Sequence, residues 1–479
     1  MNILSYRGPS TAGGVSSALA RIIETCADGN QRWWYMDGCT METRTSAYNA
    51  PVEIANVPQA VIDGHYSYCN SFIWPILHDL PQHATFNARD RRHYQIFNTR
   101  FARKILRSGE LISNLCFVND YQLALATGLI ARAHGKEIIL FWHVPWPSAV
   151  SEEHAPFIAE IAEGLLGAKR LGFHTEEYAR NFLKFVESHL GDFEVDEDTL
   201  TIINRRDRRR VTELIALPLG LDFRFWSETT NEATPIHKDL DVREKIFGRF
   251  VLSVDRADYT KGVMERLEAI DAYFEQNPQR VGKITFVQVC QPTRSGLSAF
   301  DKYWQECRAR AEQLNSRYSN ELSGNSNWSP VSWIDKPVPP KVLAWLYSKA
   351  ESMLINPVRD GLNLTAKEFA VCSSHGSLIL SRGAGVWHEL GENVVPLHTL
   401  NARTMAEQIE AALSMPIAEK IERLQAMKKT IKANSLRTWW RKFELGASGD
   451  QTVVSFPHRI RERESQAGSE LLLLAKSAR

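Results

Sequence analysis

The sequence predicts an α/β protein built from two doubly wound domains, and three observations carry that prediction. Short apolar runs alternate with longer amphipathic stretches along almost the whole chain. The series breaks at one polar, proline-containing segment, "WSETTNEATPIHKDLDVREKIF" at 226–247, and a fresh apolar run follows it. At 479 residues the chain is too long for one ordinary core, and a boundary near residue 230 leaves halves of ordinary domain size. The expected division is 1–230, 231–435, and a C-terminal helix and tail, 436–479, packing back on the first domain.

Taken in order, "NILSY" (2–6) reads as a buried strand, and "VSSALARII" as a helix with Val15, Leu19, Ile22 and Ile23 at helical spacing. "LCFVND" (115–120), "IILFWHV" (138–144), "RLGFHT" (170–175) and "LIALPLG" (214–220) supply the other strands of the first half. "RFVLSVD" (249–255), "KITFVQV" (283–289), "SMLIN" (352–356) and "SLILS" (377–381) supply those of the second. Such runs with helical patterns between them predict parallel sheets covered on both faces. The stretch after Phe456, "PHRIRERESQAGSE", reads as an exposed end.

Composition bounds the chemistry. Hydrophobic residues make up 44% and charged residues 24%, ordinary for a soluble enzyme. A net charge of +1 gives no field that would draw nucleic acid or an anionic membrane. Cys26, Cys39, Cys69, Cys116, Cys290, Cys307 and Cys372 are scattered, odd in number and without a C-x-x-C pair. That argues against a disulfide framework or a zinc site and suits a reducing cytoplasm. The N-terminus lacks the basic and apolar regions of a signal peptide, and "LLLLA" at 471–475 is too short to span a bilayer. A cytoplasmic protein is expected, with no metal, no nucleic acid and no membrane partner.

Four stretches place chemistry at strand ends. In "YRGPSTAGGVSSALA" a strand ends at Tyr6, and a glycine-bearing loop leads through Gly13 and Gly14 into a helix. Gly14 lets the main chain approach a ligand, and Arg7 offers a charged hydrogen bond to a phosphate. The loop lacks G-x-G-x-x-G, so a dinucleotide fingerprint is absent. Asp120 and His143 each close an apolar strand, where open α/β sheets place ligands. "SVDRADYTKG" sets Arg256 and Lys261 five residues apart after a strand, a spacing suited to a diphosphate leaving group. In "NPVRDGLNLTAKEFA" the carboxylate of Asp360 suits sugar hydroxyls. The N–H groups of Gly361, Leu362, Asn363 and Leu364 suit phosphate oxygens, and Glu368, about two turns further, suits a ribose diol. Each stretch also has a plain structural reading: a strand–helix turn, a satisfied core histidine, a solvated charged loop, a capped helix.

Their order resembles one family. "GG" at 13–14, "WP" at 74–75, "NDYQL" at 119–123, "HVPWPS" at 143–148 and "GFHT" at 172–175 carry the likeness in the first half. "VDRADYTKG" at 254–262, "SPVSW" at 329–333 and "RDGLNLTAKEF" at 359–369 carry it in the second. The chain is similar to retaining glycosyltransferases of the trehalose-6-phosphate synthase and glucosylglycerol-phosphate synthase type, glycosyltransferase family 20. The resemblance implies two Rossmann-like domains facing a cleft, the GT-B architecture. It implies Arg256 and Lys261 on the donor diphosphate, Asp360 on the glucose hydroxyls, Glu368 on the ribose and His143 against the glucose ring. Arg7, Trp74, Asp120 and Arg294 would line the acceptor side. The nucleotide-glucose is a substrate, no cofactor is implied, a separate phosphatase would act downstream, and a homo-oligomer fits the family.

Departures fall mainly on the acceptor side. The tyrosine usual nine residues before the "WP" tryptophan is replaced by His65, with Tyr66 beside it. The usual "PTSRG" reads "PTRSG", which shifts Arg294 by one residue. "WPILH" at 74–78 resembles the enzymes that use glycerol 3-phosphate, whereas "VDRADYTKG" resembles those that use glucose 6-phosphate. The leading expectation is synthesis of trehalose 6-phosphate. The alternatives are transfer to glycerol 3-phosphate, a non-catalytic sugar-phosphate sensor and, more remotely, a pseudo-glycosyltransferase joining cyclitols through nitrogen.

Overall fold

The computed structural model describes residues 2–8, 14–26, 32–35, 57–107, 115–134, 137–232, 248–318 and 328–446. The first sheet contains β1 (Asn2–Ser5), β2 (Arg32–Tyr35), β3 (Leu115–Asn119), β4 (Glu137–Phe141) and β5 (Arg170–Phe173). It is completed by β6 (Phe193–Asp196), β7 (Thr201–Asn204) and β8 (Val211–Ala216), in the order β2-β1-β3-β4-β5-β8-β7-β6. Pairing is parallel from β2 to β8, and β7 then runs antiparallel to both β8 and β6. The second sheet contains β9 (Arg249–Arg256), β10 (Ile284–Gln291), β11 (Val331–Ile334), β12 (Ser352–Ile355), β13 (Ser377–Ser381) and β14 (Val395–Leu397). It is parallel throughout, in the order β11-β10-β9-β12-β13-β14.

Burial explains why most of these strands were readable. Every residue of β12 and β13 is buried, so each reads as an unbroken apolar run opened by serine. The serines cost little there, because the hydroxyls of Ser352 and Ser377 bond one another at 2.7 Å. Strands β2, β6, β7, β11 and β14 were not anticipated. The β6–β7 hairpin has a half-polar pattern, and β14 carries Pro396 in a three-residue edge strand. Among the described residues no helix is long and apolar enough to cross a membrane.

The change of domain falls earlier than residue 230. Helix Phe223–Asn231 packs with the second domain, its Trp226 ring 5.9 Å from that of Tyr347. The crossing segment is therefore Leu217–Leu221. Helix Leu436–Leu445 makes the return crossing and lies on the first sheet, with Trp439 and Trp440 rings 4.9 and 5.1 Å from Phe141 and Phe117. The buried Arg170 guanidinium donates to the carbonyls of Phe443 and Glu444 at this helix's end. Outward and return crossings touch at a Leu221–Ser435 bridge. One apolar cluster runs from Ile3 and Phe141 through Trp439 and Leu436 to Leu362 and Leu380, so the domains share a core at the crossing. The expected tail beyond residue 446 and Gly13 of the first glycine pair lie outside the described residues.

Strand order also sets where ligands can reach. The first sheet reverses its winding between β1 and β3, and the second between β9 and β12. Crevices open at the carboxyl ends of such strand pairs. Arg7 follows β1 and Asp120 follows β3; Arg256 ends β9 and Asp360 follows β12.

Candidate active site

The second domain's half of the site is built on the β9 and β12 loops. After β9, Asp258 caps a short 3-10 turn, accepting from the Thr260 N–H at 3.1 Å, and Gly262 turns the chain into helix Val263–Gln276 with φ 65°. A side chain at Gly262 would be strained by that φ, and its Cβ would lie 2.3 Å from the Asn356 carbonyl. Lys261 pairs with Asp360 at 2.5 Å. Beneath the loop, fully buried Arg266 is satisfied by Asp255, Asn356 and Gln288, which fixes the ends of β9 and β12 relative to each other.

After β12 the chain from Asp360 to Leu362 runs beside Gly383–Val386. The Asp360 N–H donates to the Gly383 carbonyl at 2.8 Å, and the Val386 N–H donates to the Leu362 carbonyl at 2.8 Å. Asn363 adopts φ 84° and caps helix Leu364–Cys372 by accepting from the Ala366 N–H. Among the described residues, the N–H groups of Gly361, Leu362, Asn363 and Leu364 donate no hydrogen bond, which leaves them for a ligand. Glu368 lies further along this helix, half-buried, and accepts from the Tyr347 hydroxyl at 3.0 Å. Burial lifts its carboxyl to about 7, against the pull of Arg21. Glu368 thus faces helix Gly14–Cys26 of the first domain, which Gly14 opens and which carries Arg21.

Charge converges at the centre. Arg256 is exposed in the cleft, and among the described residues nothing forms a hydrogen bond or ion pair with it. The surrounding protein pushes its pKa down, and Arg294 and Arg7 add to the effect, as expected for clustered cations. Burial opposes ionisation of Asp258, but Arg294, Arg256 and Lys261 hold its carboxyl at about 2. Asp360 is likewise held low by Lys261 despite its burial.

The first domain supplies the opposite wall. Asp120 has φ 67°, and its carboxylate accepts from the His143 N–H at 3.2 Å, tying the ends of β3 and β4 together. Burial raises that carboxyl to about 7, with His143, Tyr121 and Arg294 opposing. Burial drives His143 down to about 3, so its ring is neutral at physiological pH. Its Nε2–H donates to Asn119 Oδ1 at 3.3 Å, and its buried Nδ1 is left as an acceptor without a partner among the described residues. Gly361 meets His143 here: a Cβ on Gly361 would lie 2.0 Å from the His143 carbonyl oxygen.

The residues expected on the acceptor side are arranged in an unexpected way. Arg294 takes a left-handed φ of 49° and buries its guanidinium between the domains. It donates to Asn70 Oδ1 at 2.6 Å and Asp258 Oδ2 at 2.5 Å, and lies 4.0 Å over the Trp74 ring. The Trp74 indole N–H is buried without a partner among the described residues. Tyr66 stands close enough to affect Arg294, its phenol raising the arginine's pKa after Asp258 and Tyr121 and against burial. His65 does not line the cleft. It is wholly buried among Tyr6, Tyr94 and Phe97, bonded through Nε2 to the Gln122 carbonyl at 2.9 Å and held to about 4 by burial. The helix slot that should carry the tyrosine therefore points into the core, and the phenol comes from the next position.

The structure thus brings Arg256, Lys261, Asp360, Gly361, His143, Asp120, Arg294 and Trp74 into one cleft, and sets Glu368 at a separate edge of it. Asp258, Asn70 and Asn119 belong to the same site and were not singled out from the sequence, and Tyr66, near Arg294, was noted there only as the neighbour of His65. Among the described residues no group of three or more His, Cys, Asp or Glu is placed to hold a metal ion.

Two sheets that turn their switch points towards one cleft define the GT-B class. A crystal structure of a UDP-forming alpha,alpha-trehalose-phosphate synthase from Burkholderia xenovorans, in complex with glucose-6-phosphate, superposes with a TM-score of 0.82. It is 24% identical and covers 94% of this chain and 99% of that one, a likeness of fold. The chain is 32% identical to the bifunctional trehalose-6-phosphate synthase/phosphatase of Thermoproteus tenax, over 79% of this chain and 51% of that protein. It therefore spans about half the length of that relative. It is 29% identical to the UDP-forming alpha,alpha-trehalose-phosphate synthase of Zygosaccharomyces rouxii, over 81% of this chain and 80% of that protein. The family model for glycosyltransferase family 20 matches residues 36–446. The chain belongs to glycosyltransferase family 20.

Proposed function

We propose that the protein transfers glucose from UDP-glucose to glucose 6-phosphate with retention of configuration, forming trehalose 6-phosphate and UDP. The observation that carries this reading is Arg256, exposed and without a partner among the described residues, gathered with Lys261 around Asp258 at the switch point of the second sheet. The UDP-forming activity of the Zygosaccharomyces relative supports the donor, and the glucose-6-phosphate bound to the Burkholderia structure supports the acceptor.

In this reading Arg256 and Lys261 take the diphosphate, and the free N–H groups of Gly361–Leu364 add to its cradle. Asp360 orders the glucose hydroxyls, and the neutral His143 ring accepts from one of them. Glu368 takes the ribose. Arg7, Trp74 and Arg294 line the acceptor pocket, with Tyr66 in place of His65. The bond from glucose C1 to the diphosphate oxygen breaks while the bond to the acceptor oxygen forms on the same face. The acceptor's hydroxyl proton passes to the departing phosphate oxygen, so the protein's part is positioning and charge stabilisation. With two cations on the leaving group, no metal or cofactor is required; turnover should be unchanged by EDTA, and its loss would contradict this.

The product keeps its phosphate ester, so a phosphatase activity is proposed to consume it. The buried free thiols of Cys69, Cys116, Cys290, Cys307 and Cys372 support a reducing, cytoplasmic setting. A turnover matrix tests the assignment: UDP-, ADP- and GDP-glucose against glucose 6-phosphate and glycerol 3-phosphate, read by nucleotide release. Release with UDP-glucose and glucose 6-phosphate is expected. Release only with glycerol 3-phosphate would assign the smaller acceptor, and none with any pair would favour a sensor.

A further inference from the structure

We propose that Tyr178 is a positioning residue for the reacting sugar: its hydroxyl reaches across the domain boundary and fixes the main chain at Asp360. Tyr178 lies in the first turn of helix Glu176–His189, which belongs to the first domain. It is buried, and its hydroxyl donates to the Asp360 carbonyl at 3.0 Å. That carbonyl also accepts from the Gly385 N–H at 3.1 Å, while the Asp360 N–H donates to Gly383. The second domain thus holds the Asp360 peptide through the Gly383–Gly385 loop, and the first holds it through one phenol.

Tyr178 is itself firmly placed. Its N–H donates to the Thr175 hydroxyl at 3.1 Å, closing the helix cap. The Arg359 guanidinium lies 5.7 Å over its ring and pairs with the neighbouring Glu177 at 3.1 Å. One helix start therefore grips both residues of the Arg359-Asp360 turn. His143 and Asp120 sit in the same domain as Tyr178, so this bond sets the sugar-binding carboxylate relative to the wall the sugar meets. The inference rests on the reading that Asp360 holds the donor glucose.

A buried phenol that only satisfies itself would serve stability alone, and a comparison of two ligands separates that role from positioning. UDP lacks the glucose that Asp360 is placed to hold. The measurement is the Kd of UDP and of UDP-glucose by calorimetry, with kcat and the thermal unfolding midpoint, for the full chain, Tyr178→Phe and Asp360→Asn. Phenylalanine keeps the ring packing and leaves the Asp360 carbonyl bonded to Gly385. Tyr178→Phe is expected to weaken UDP-glucose by about fivefold to tenfold, the scale of one hydrogen bond, and to lower kcat. Its affinity for UDP should stay within about twofold, and Asp360→Asn should show the same selective loss more strongly. If Asp360→Asn loses UDP-glucose selectively and Tyr178→Phe weakens both ligands equally or neither, Tyr178 only packs and the inference is overturned. If Asp360→Asn shows no selective loss, the reading of Asp360 fails and the inference falls with it.

Discussion

Arg256, Arg294, Arg7 and Lys261 gather near Asp258 and Asp360, and Arg256, exposed in the cleft, has no partner among the described residues to share its charge. Removing it should therefore disturb catalysis far more than folding. Arg256→Ala is expected to lower kcat by about 10²–10³-fold, the scale of one lost charge-stabilising group, with an unchanged unfolding midpoint; steady-state kinetics and a thermal melt check this. Glu368 carries a pH signature. Its carboxyl is lifted to about 7, so it is protonated and a poorer acceptor below that pH. KM for UDP-glucose should rise as pH falls through about 7, and Glu368→Gln should flatten that rise. For the unliganded fold the sign is opposite: a raised carboxyl pKa adds stability at low pH that is lost as pH climbs through about 7. Arg256, Lys261 and Asp360 were legible in the sequence because each closes a strand within a short charged motif. Asn70 and Tyr178 were not, since their partners lie 224 and 182 residues away and no local pattern announces them.

The decisive elements are the two turns where β9 and β12 hand over to helices. At Gly361 the constraint is close approach, since any side chain would run into the His143 carbonyl. Gly361→Ala is expected to abolish most turnover and to lower stability by about 1–3 kcal/mol, as overpacking does, measured by assay and by denaturant titration. At Asn363 the constraints are a left-handed φ and the helix cap together. Strand interiors were legible because they are buried on both faces and read as apolar runs. The edge strands were not: β14 spends one of three residues on proline, and β6 alternates polar and apolar. His65 shows the same limit in a helix, where a one-residue offset puts position 65 in the core and position 66 near Arg294.

Across the whole molecule the domains are joined by two crossings and by contacts that span the cleft. Leu217–Leu221 leaves the first domain, and helix Leu436–Leu445 returns to it, covering Phe117 and Phe141. Trp439 is fully buried there, its indole N–H donating to the Leu217 carbonyl. Trp439→Ala should cost about 3–5 kcal/mol, read by denaturant titration, and should reduce activity by loosening the crossing. The polar break in the sequence pointed to the boundary region, but Trp226 seats helix Phe223–Asn231 on the second domain. The central claim is that this cleft joins a donor glucose to a phosphorylated hexose with retention. The most direct measurement is the NMR anomeric configuration and mass of the product formed from UDP-glucose and glucose 6-phosphate. An α,α-linked disaccharide phosphate is the predicted result; a β-configured product, or hydrolysis of UDP-glucose without coupling, would contradict it.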